Sequence, residues 1–376
     1  MAKKRKPKKV SQFVNNQFDF ILCTTVILLL ALGIIMVLSA SSPSALSKTD
    51  SSYTYVSKQV LFAVAGIIAM LIISKIDYRF YKKFYKIGYI ISILLLIATL
   101  FKGAEAKGAE RWIDLGFTRF QPSEVVKLLM IVFYSVFLSN RKEELRTFKG
   151  FIINLVLLAP ILVILVVFQR HLSATLITVA IVSIMMLMAG TKISHFMAMI
   201  PFGIAGLAAV IFKGAEFRAN RVFSFLDPWA DARGTGWQAI QSLYAIGSGG
   251  IFGAGLGESK QKYLYISEPH NDFIFAVLAE ELGFLGCTFV IVLFGIFIWR
   301  GIIIATKAPD VFGSLMAIGI TSMIGIQAII NIAVVTSLLP VTGITLPFIS
   351  YGGTSLLMLL ASVGVLLNIS RAGSKI

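Results

Sequence analysis

Charge is scarce in this 376-residue chain, and what there is leans to one sign. Only 14% of residues are charged while 57% are hydrophobic, and the mean hydropathy is +0.87. Soluble globular domains carry roughly 25% charged residues, so that class is excluded. Cysteine is nearly absent: Cys23 and Cys287 both fall inside apolar runs. They give no disulfide framework and read as buried, inert thiols. No G-x-x-x-x-G-K-[ST] string occurs, which removes a phosphate-binding nucleotide loop. Tandem repeats, low-complexity tracts and an appended soluble domain are missing too.

What the chain has instead is a series of apolar runs of about 18 residues or more, each long enough to cross a bilayer. They predict ten spans, at 18–40, 59–76, 84–101, 121–139, 150–168, 172–190, 196–213, 272–298, 313–336 and 346–368. The predicted fold is an all-α polytopic membrane protein, one integral membrane domain over 1–376. The net charge of +16 follows from topology. Placing the N-terminus in the cytoplasm gathers most of the Lys/Arg excess on the inner side, led by Lys3, Lys4, Arg5, Lys6, Lys8 and Lys9 in the basic tail 1–17. That is the positive-inside pattern, and ten spans return Arg371 and Lys375 to the same side. The tail suits anionic lipid heads, and nucleic acid is not an expected partner. The first apolar core runs to about 20 residues, beyond the roughly 7 to 15 of a signal peptide, so it reads as a retained span.

Two outer loops, 102–120 and 214–271, hold nearly all the polar information. The first carries Arg111, Trp112 and Asp114, then enters the fourth span through Gln121, Pro122, Ser123, Glu124 and Lys127. Pro122 suits a first helical turn, and Glu124 and Lys127, three apart, can touch on one face. They read as a structural ion pair bracing the helix packing, while Trp112 suits either the membrane interface or a ligand. The second loop runs through Arg218, Arg221, Phe225–Trp229 and Gln241 to glycines between Gly247 and Gly257, then Lys262, Glu268, His270, Asn271 and Asp272. Such glycine density suits either an anion-binding nest of backbone amides or a tight turn packed on the bundle.

Asp272 directly precedes the apolar run from Phe273 to Ile298. An ionisable group at the mouth of a membrane helix marks a candidate functional site. Its plainer role is a helix N-cap, worth about 1 kcal/mol. In a continuous helix Glu280 and Glu281 lie roughly 12 to 13.5 Å deeper, offset from Asp272 by about 80° and 180°. Both are expected to face protein, protonated or paired with neighbouring spans. Pro160 and Pro201 could bend their helices and open a lateral entrance.

The strings Arg111–Gly116, Gln121–Glu124, Phe225–Trp229, Gly236–Ser248, Pro269–Gly283 and Leu339–Ser355, in this order, resemble the SEDS family of bacterial cell-wall proteins (shape, elongation, division and sporulation). The last string looks more like the FtsW and SpoVE branch than the RodA branch. The resemblance implies a peptidoglycan glycosyltransferase of the bacterial cytoplasmic membrane, polymerising lipid II at its extracellular face. It also implies a catalytic carboxylate at Asp272, a functional Trp112 and an ion pair at Glu124 and Lys127. Implied partners are a class B penicillin-binding protein and other division or elongation membrane proteins. Where many relatives carry an Asp-Leu-Gly-Thr-like stretch, this chain has Gln169, Arg170, His171 and Leu172, which removes a second acid; His171 reads as a surface polar residue.

The chemistry agrees. Joining sugars with inversion needs a base for the acceptor hydroxyl, and Asp272 is placed to serve. A departing pyrophosphate needs cations, and Arg111, Arg218, Arg221 and Lys262 are the candidates, with Trp112, Gln241, His270 and Asn271 as further substrate contacts. The sequence holds no dedicated metal cage; a divalent cation, magnesium or manganese, could share the task. A lipid II flippase and a non-catalytic scaffold are the alternatives. The first needs polar groups through the bilayer rather than at one face, and the second leaves the polar loops unexplained.

Overall fold

The computed structural model describes residues 18–49, 51–106, 109–114, 116, 119–212, 224–263 and 265–373. The basic tail 1–17 and the candidates Arg218 and Arg221 lie outside the described residues. The helices are α1 (Phe20–Thr49), α2 (Thr54–Ile73), α3 (Tyr85–Lys102), α4 (Pro122–Asn140), α5 (Phe148–Val163) and α6 (Leu172–Met188). They continue with α7 (Ile193–Phe212), α8 (Trp237–Gly249), α9 (Ile274–Thr306), α10 (Val311–Val335) and α11 (Gly353–Gly373). Among the described residues eight helices are long and apolar enough to cross a membrane; α6 and the Ile193–Gly206 stretch of α7 are shorter apolar helices in the sixth and seventh expected places.

Helix α2 shows how the bundle sorts its residues. Val56, Gln59, Ala63, Gly66 and Met70 recur at three- and four-residue spacing and are buried, and α2 packs along α11. Leu61, Val64, Ile68 and Leu71 on its other side are exposed, which in water would be costly. An apolar helix with an exposed apolar face belongs in lipid, where that face needs no protein cover. The interior is formed largely by α4, α10 and α11, which bury much of their length against neighbouring helices.

Four features differ from the expected layout. The loop 102–120 contains an antiparallel sheet, β1 (Gly103–Ala106), β2 (Ala109–Asp114) and β3 (Arg119–Phe120), in the order β1-β2-β3. Pairing along it satisfies backbone groups that a bare loop would leave exposed at the membrane edge. Within 214–271 the chain forms the 3-10 turn Pro228–Asp231 and then α8, which packs on α9. The last span begins at Gly353 rather than 346, because Pro347 and left-handed backbone at Gly343 and Phe348 keep 337–352 from helix. Pro160 lies inside α5, which ends in the π turn Ile164–Phe168.

Helix α9 is broken at Gly283, where φ is 64° and ψ is −164°. The glycine-rich segment plugs the break. Phe284 N–H donates to the Gly250 carbonyl at 2.9 Å and Leu285 N–H to Ile251 at 3.2 Å, while Ala254 and Gly255 N–H donate to Glu280 and Glu281 carbonyls at 2.9 and 3.1 Å. Gly253 and Gly283 face each other so closely that a Cβ on Gly283 would sit 2.3 Å from the Gly253 nitrogen. Gly283 therefore supplies both the left-handed backbone and the close approach that other residues cannot.

Candidate functional site

Asp272 lies where the end of the second loop, α10 and the irregular segment 337–352 meet. Helix α9 starts at Ile274, and its N-cap position is Phe273 rather than Asp272 as expected. Asn331 of α10 donates from Nδ2 to the Asp272 carbonyl at 2.8 Å and to the Ile344 carbonyl at 2.7 Å. Gly343, with φ of 71°, passes so near that a Cβ there would stand 3.5 Å from Asp272 Oδ2. Asp272 itself is half-buried.

The segment opposite Asp272 is held from three helices. Ser173 of α6 donates to the Thr342 carbonyl, Asn331 holds Ile344, and the buried Gln59 of α2 bonds the Ser350 carbonyl at 3.2 Å and the Gly352 N–H at 3.3 Å. Tyr351 N–H donates to the His270 carbonyl at 2.9 Å. The His270 ring packs between Tyr55 and Tyr351, with centroids 4.5 and 5.8 Å away, and it is buried. His270 thus shapes the wall two residues from Asp272 instead of projecting toward a ligand. Burial raises the Tyr351 phenol above its ordinary value, with Tyr55 adding and Arg119 opposing. Arg119, exposed on β3 beside this wall, is a cation that sequence reasoning missed.

Lys262 does not project into the loop surface as expected. It is buried, and its ammonium contacts Glu281 Oε1 at 2.9 Å, Ser39 Oγ at 3.1 Å and the Gly257 carbonyl at 2.5 Å. Ser39 in turn donates to Glu281 at 2.5 Å. Glu280 accepts from Ser259 Oγ at 2.5 Å, Lys260 N–H at 2.9 Å and Gln261 N–H at 3.3 Å. Both acids face protein, but the loop supplies most of their partners and α1 one. The glycine amides at 253–255 are already committed to backbone carbonyls, so the packed turn prevails over an anion nest there.

Glu124 and Lys127 pair at 2.8 Å on α4, and Ser355 of α11 donates to Glu124 at 3.3 Å. Trp112, half-buried on β2, is in register with Ala104, and β2 lies against α3 and α4. Arg111 is on the same strand. Gln241 is buried on α8, and the Asn271 amide bonds the Glu268 carboxylate beside a left-handed Glu268. His171, expected at the surface, is buried at the start of α6, and Gln169 donates to Leu96 and Thr99 of α3. Helix packing has closed over that corner, where this chain lacks the acid of the Asp-Leu-Gly-Thr-like stretch. Asn331, Ser173 and Gln59 were not singled out from the sequence, although a lone amide in an apolar span is itself a signal.

Comparison with known proteins matches this arrangement along nearly the whole chain. Residues 19–375 match the family described as cell cycle protein, FtsW, RodA and SpoVE. Stage V sporulation protein E of Bacillus subtilis (strain 168) is 45% identical over 357 residues, 94% of this chain and 97% of that one. The probable peptidoglycan glycosyltransferase FtsW of Geobacter sp. (strain M18) is 39% identical over 355 residues, 94% and 96% of the two chains. Among solved structures, a chain from work on structural coordination of polymerization and crosslinking by a peptidoglycan synthase complex superposes with TM-score 0.78 at 27% identity, covering 95% and 98%. The rod shape determining protein RodA of Thermus thermophilus gives 0.70 at 26% identity, covering 97% and 98%.

Proposed function

This chain belongs to the family of FtsW, RodA and SpoVE, and we propose that it polymerises lipid II into glycan strands with Asp272 as the general base. The observation that carries the role is the setting of Asp272: a half-buried carboxylate, with its backbone fixed by Asn331 and an open glycine face at Gly343 beside its oxygen. A base must be held in place beside the hydroxyl it deprotonates, and here the N-cap position of the helix is taken by Phe273, one residue on.

In the step, Asp272 takes the proton of the acceptor sugar's 4-hydroxyl while that oxygen bonds to the donor's anomeric carbon. The bond from that carbon to the undecaprenyl pyrophosphate breaks, and the pyrophosphate leaves with the electron pair. Its developing charge calls for cations on the same face. Arg119 of β3 and Arg111 of β2 belong to the sheet, with Arg218 and Arg221 carried by the same loop as Asp272, whereas Lys262 is spent on Glu281. Among the described residues no three His, Cys, Asp or Glu side chains gather to hold a metal. A magnesium or manganese ion bound to the pyrophosphate oxygens would share that neutralisation with the arginines.

The site belongs on the extracellular side of the cytoplasmic membrane. The opposite ends of the helices carry Lys82, Lys83, Lys86, Arg141, Lys142, Lys149, Lys192 and Lys307, the pattern of a cytoplasmic face. A class B penicillin-binding protein is the proposed partner, in keeping with the peptidoglycan synthase complex of the solved relative, with other division or elongation proteins around it. The test supplies labelled lipid II to the purified protein in detergent, alone and with its transpeptidase, and reads glycan length on a gel. Polymer from wild type and none from folded Asp272→Asn is expected; equal polymer from both removes Asp272 as the base.

A further inference from the structure

Lys262 and Glu281 bracket the carboxylate: one precedes Asp272 by ten positions and the other follows it by nine. Their ion pair at 2.9 Å closes that stretch of chain into a ring with Asp272 in its middle. We propose that this pair, with Ser39, is a buried latch whose part in the reaction is to position Asp272, and that Lys262 never meets the pyrophosphate. Both side chains are positioning residues.

The donor count supports this directly. An ammonium has three protons, and Lys262 has three acceptors in Glu281, Ser39 and Gly257. Side-chain exposure is 3% for Lys262 and 0% for Glu281, so no proton and no surface remain for a phosphate. The same corner is tied a second time, by Glu280 gripping Ser259, Lys260 and Gln261, and a third time by the backbone bonds across the Gly283 break. Ser39 adds α1 to the joint. Loop, kinked helix and first span therefore move as one body. Loss of either charge would strand its partner in a dry interior, and the loop would have to shift to bring water in. Removing both charges together strands no charge and leaves only neutral groups, the Gly257 carbonyl among them, short of a donor.

That asymmetry makes the test. The inference rests on Asp272 as the base, and the variants are Lys262→Met, Glu281→Gln and the double Lys262→Met/Glu281→Gln in the full chain. Polymerisation of labelled lipid II gives kcat and KM, and hydrogen exchange across 253–272 reports loop order. Misplacing a reacting group by about 1 Å can cost on the order of 100-fold. Each single variant is expected to lose kcat on that scale with KM little changed and exchange accelerated, and the double variant to recover most of both. A double variant with wild-type exchange that stays as inactive as Lys262→Met would show that the ammonium itself acts on substrate and would overturn the latch.

Should the single variants fail to fold, Ser39→Ala removes the hydroxyl without stranding a charge. It is expected to lower kcat several-fold and speed exchange, and wild-type values for both reject the latch. Exchange does not depend on which group is the base. Activity in Asp272→Asn with a latch that still controls loop order would therefore separate failure of the base assignment from failure of this inference.

Discussion

The side-chain amide of Asn331 donates to the backbone carbonyl of Asp272 at 2.8 Å and to that of Ile344 at 2.7 Å. One buried residue near the end of α10 thus joins the segment that carries the carboxylate to the segment that faces it. Replacing the amide by a carboxylate turns two attractions into two repulsions. Asn331→Asp should lose about 100-fold in polymerisation, since misplacement near 1 Å costs that much. Asn331→Ala should leave the two carbonyls short of a donor, at about 1 to 3 kcal/mol each. Lipid II turnover and a thermal melt of each variant check both statements.

Asp272→Asn and Asp310→Ala should separate catalysis from capping. Asp310 caps α10 through the Gly313 N–H at 2.7 Å and also accepts from Tyr78 and Arg79, whereas the N-cap position of α9 falls to Phe273 and not to Asp272. Asp272→Asn should melt as wild type but lose about 10²- to 10⁴-fold in rate. Asp310→Ala should cost about 1 kcal/mol or more in stability and leave kcat nearly unchanged. Burial works to raise the Asp310 carboxyl, but the Gly313 amide, Tyr78 hydroxyl and Arg79 guanidinium outweigh it and hold it below 3.8. A depressed carboxyl stabilises the fold above its ordinary value and loses that contribution as pH falls through the lowered one. The difference between wild-type and Asp310→Ala melts should therefore shrink only below about pH 4.

The ion pair on α4 should behave unequally toward its two halves. Lys127 is 2% exposed in its side chain and Glu124 13%, so a stranded lysine or a stranded glutamate costs different amounts. Lys127→Met leaves Glu124 with Ser355 as a remaining donor, while Glu124→Ala leaves an ammonium in the dry interior. Breaking a buried pair costs about 3 to 5 kcal/mol, and the greater loss should follow Glu124→Ala. The double variant Glu124→Gln/Lys127→Met should recover most of the melting temperature, read by fluorescence-detected thermal shift.

Glycines of α8 and α9 should respond differently to substitution. Gly283→Ala forces a Cβ to 2.3 Å from the Gly253 nitrogen at a φ of 64°, and should prevent a stable fold or abolish activity. Gly247→Ala, exposed in α8 with nothing within 4 Å of its Cβ, should be active and up to about 1 kcal/mol more stable. Expression yield and melting temperature distinguish them.

The glycine run shows why a sequence could be read two ways. Its composition suits a nest for an anion and a turn against a helix equally well. Only the break at Gly283, thirty residues after Gly253, exposes the carbonyls that take the amides of Ala254 and Gly255. Lys262 is similar: its position in a polar loop suggests a solvent-facing cation, and its partner Glu281 becomes visible only once the loop folds back on α9. Asp272 needed no such information. A carboxylate at the threshold of a long apolar run is conspicuous in any linear reading.

Hydropathy alone determined that the chain threads a membrane repeatedly, because each span satisfies its own backbone bonds and needs only length and apolar side chains. Helical spacing determined the Glu124–Lys127 pair as well, since contacts three residues apart are fixed by the helix itself. The tertiary structure decided everything that depends on contacts between distant segments: the sheet at the loop 102–120, the late start of α11, the seat of Asp272 against Asn331 and Gly343, and the withdrawal of Lys262 from the surface. A polar side chain within a loop carries no mark of which carboxylate or carbonyl will take its protons. That choice is made by packing, where a buried charge must find its partner or pay the full cost of losing water.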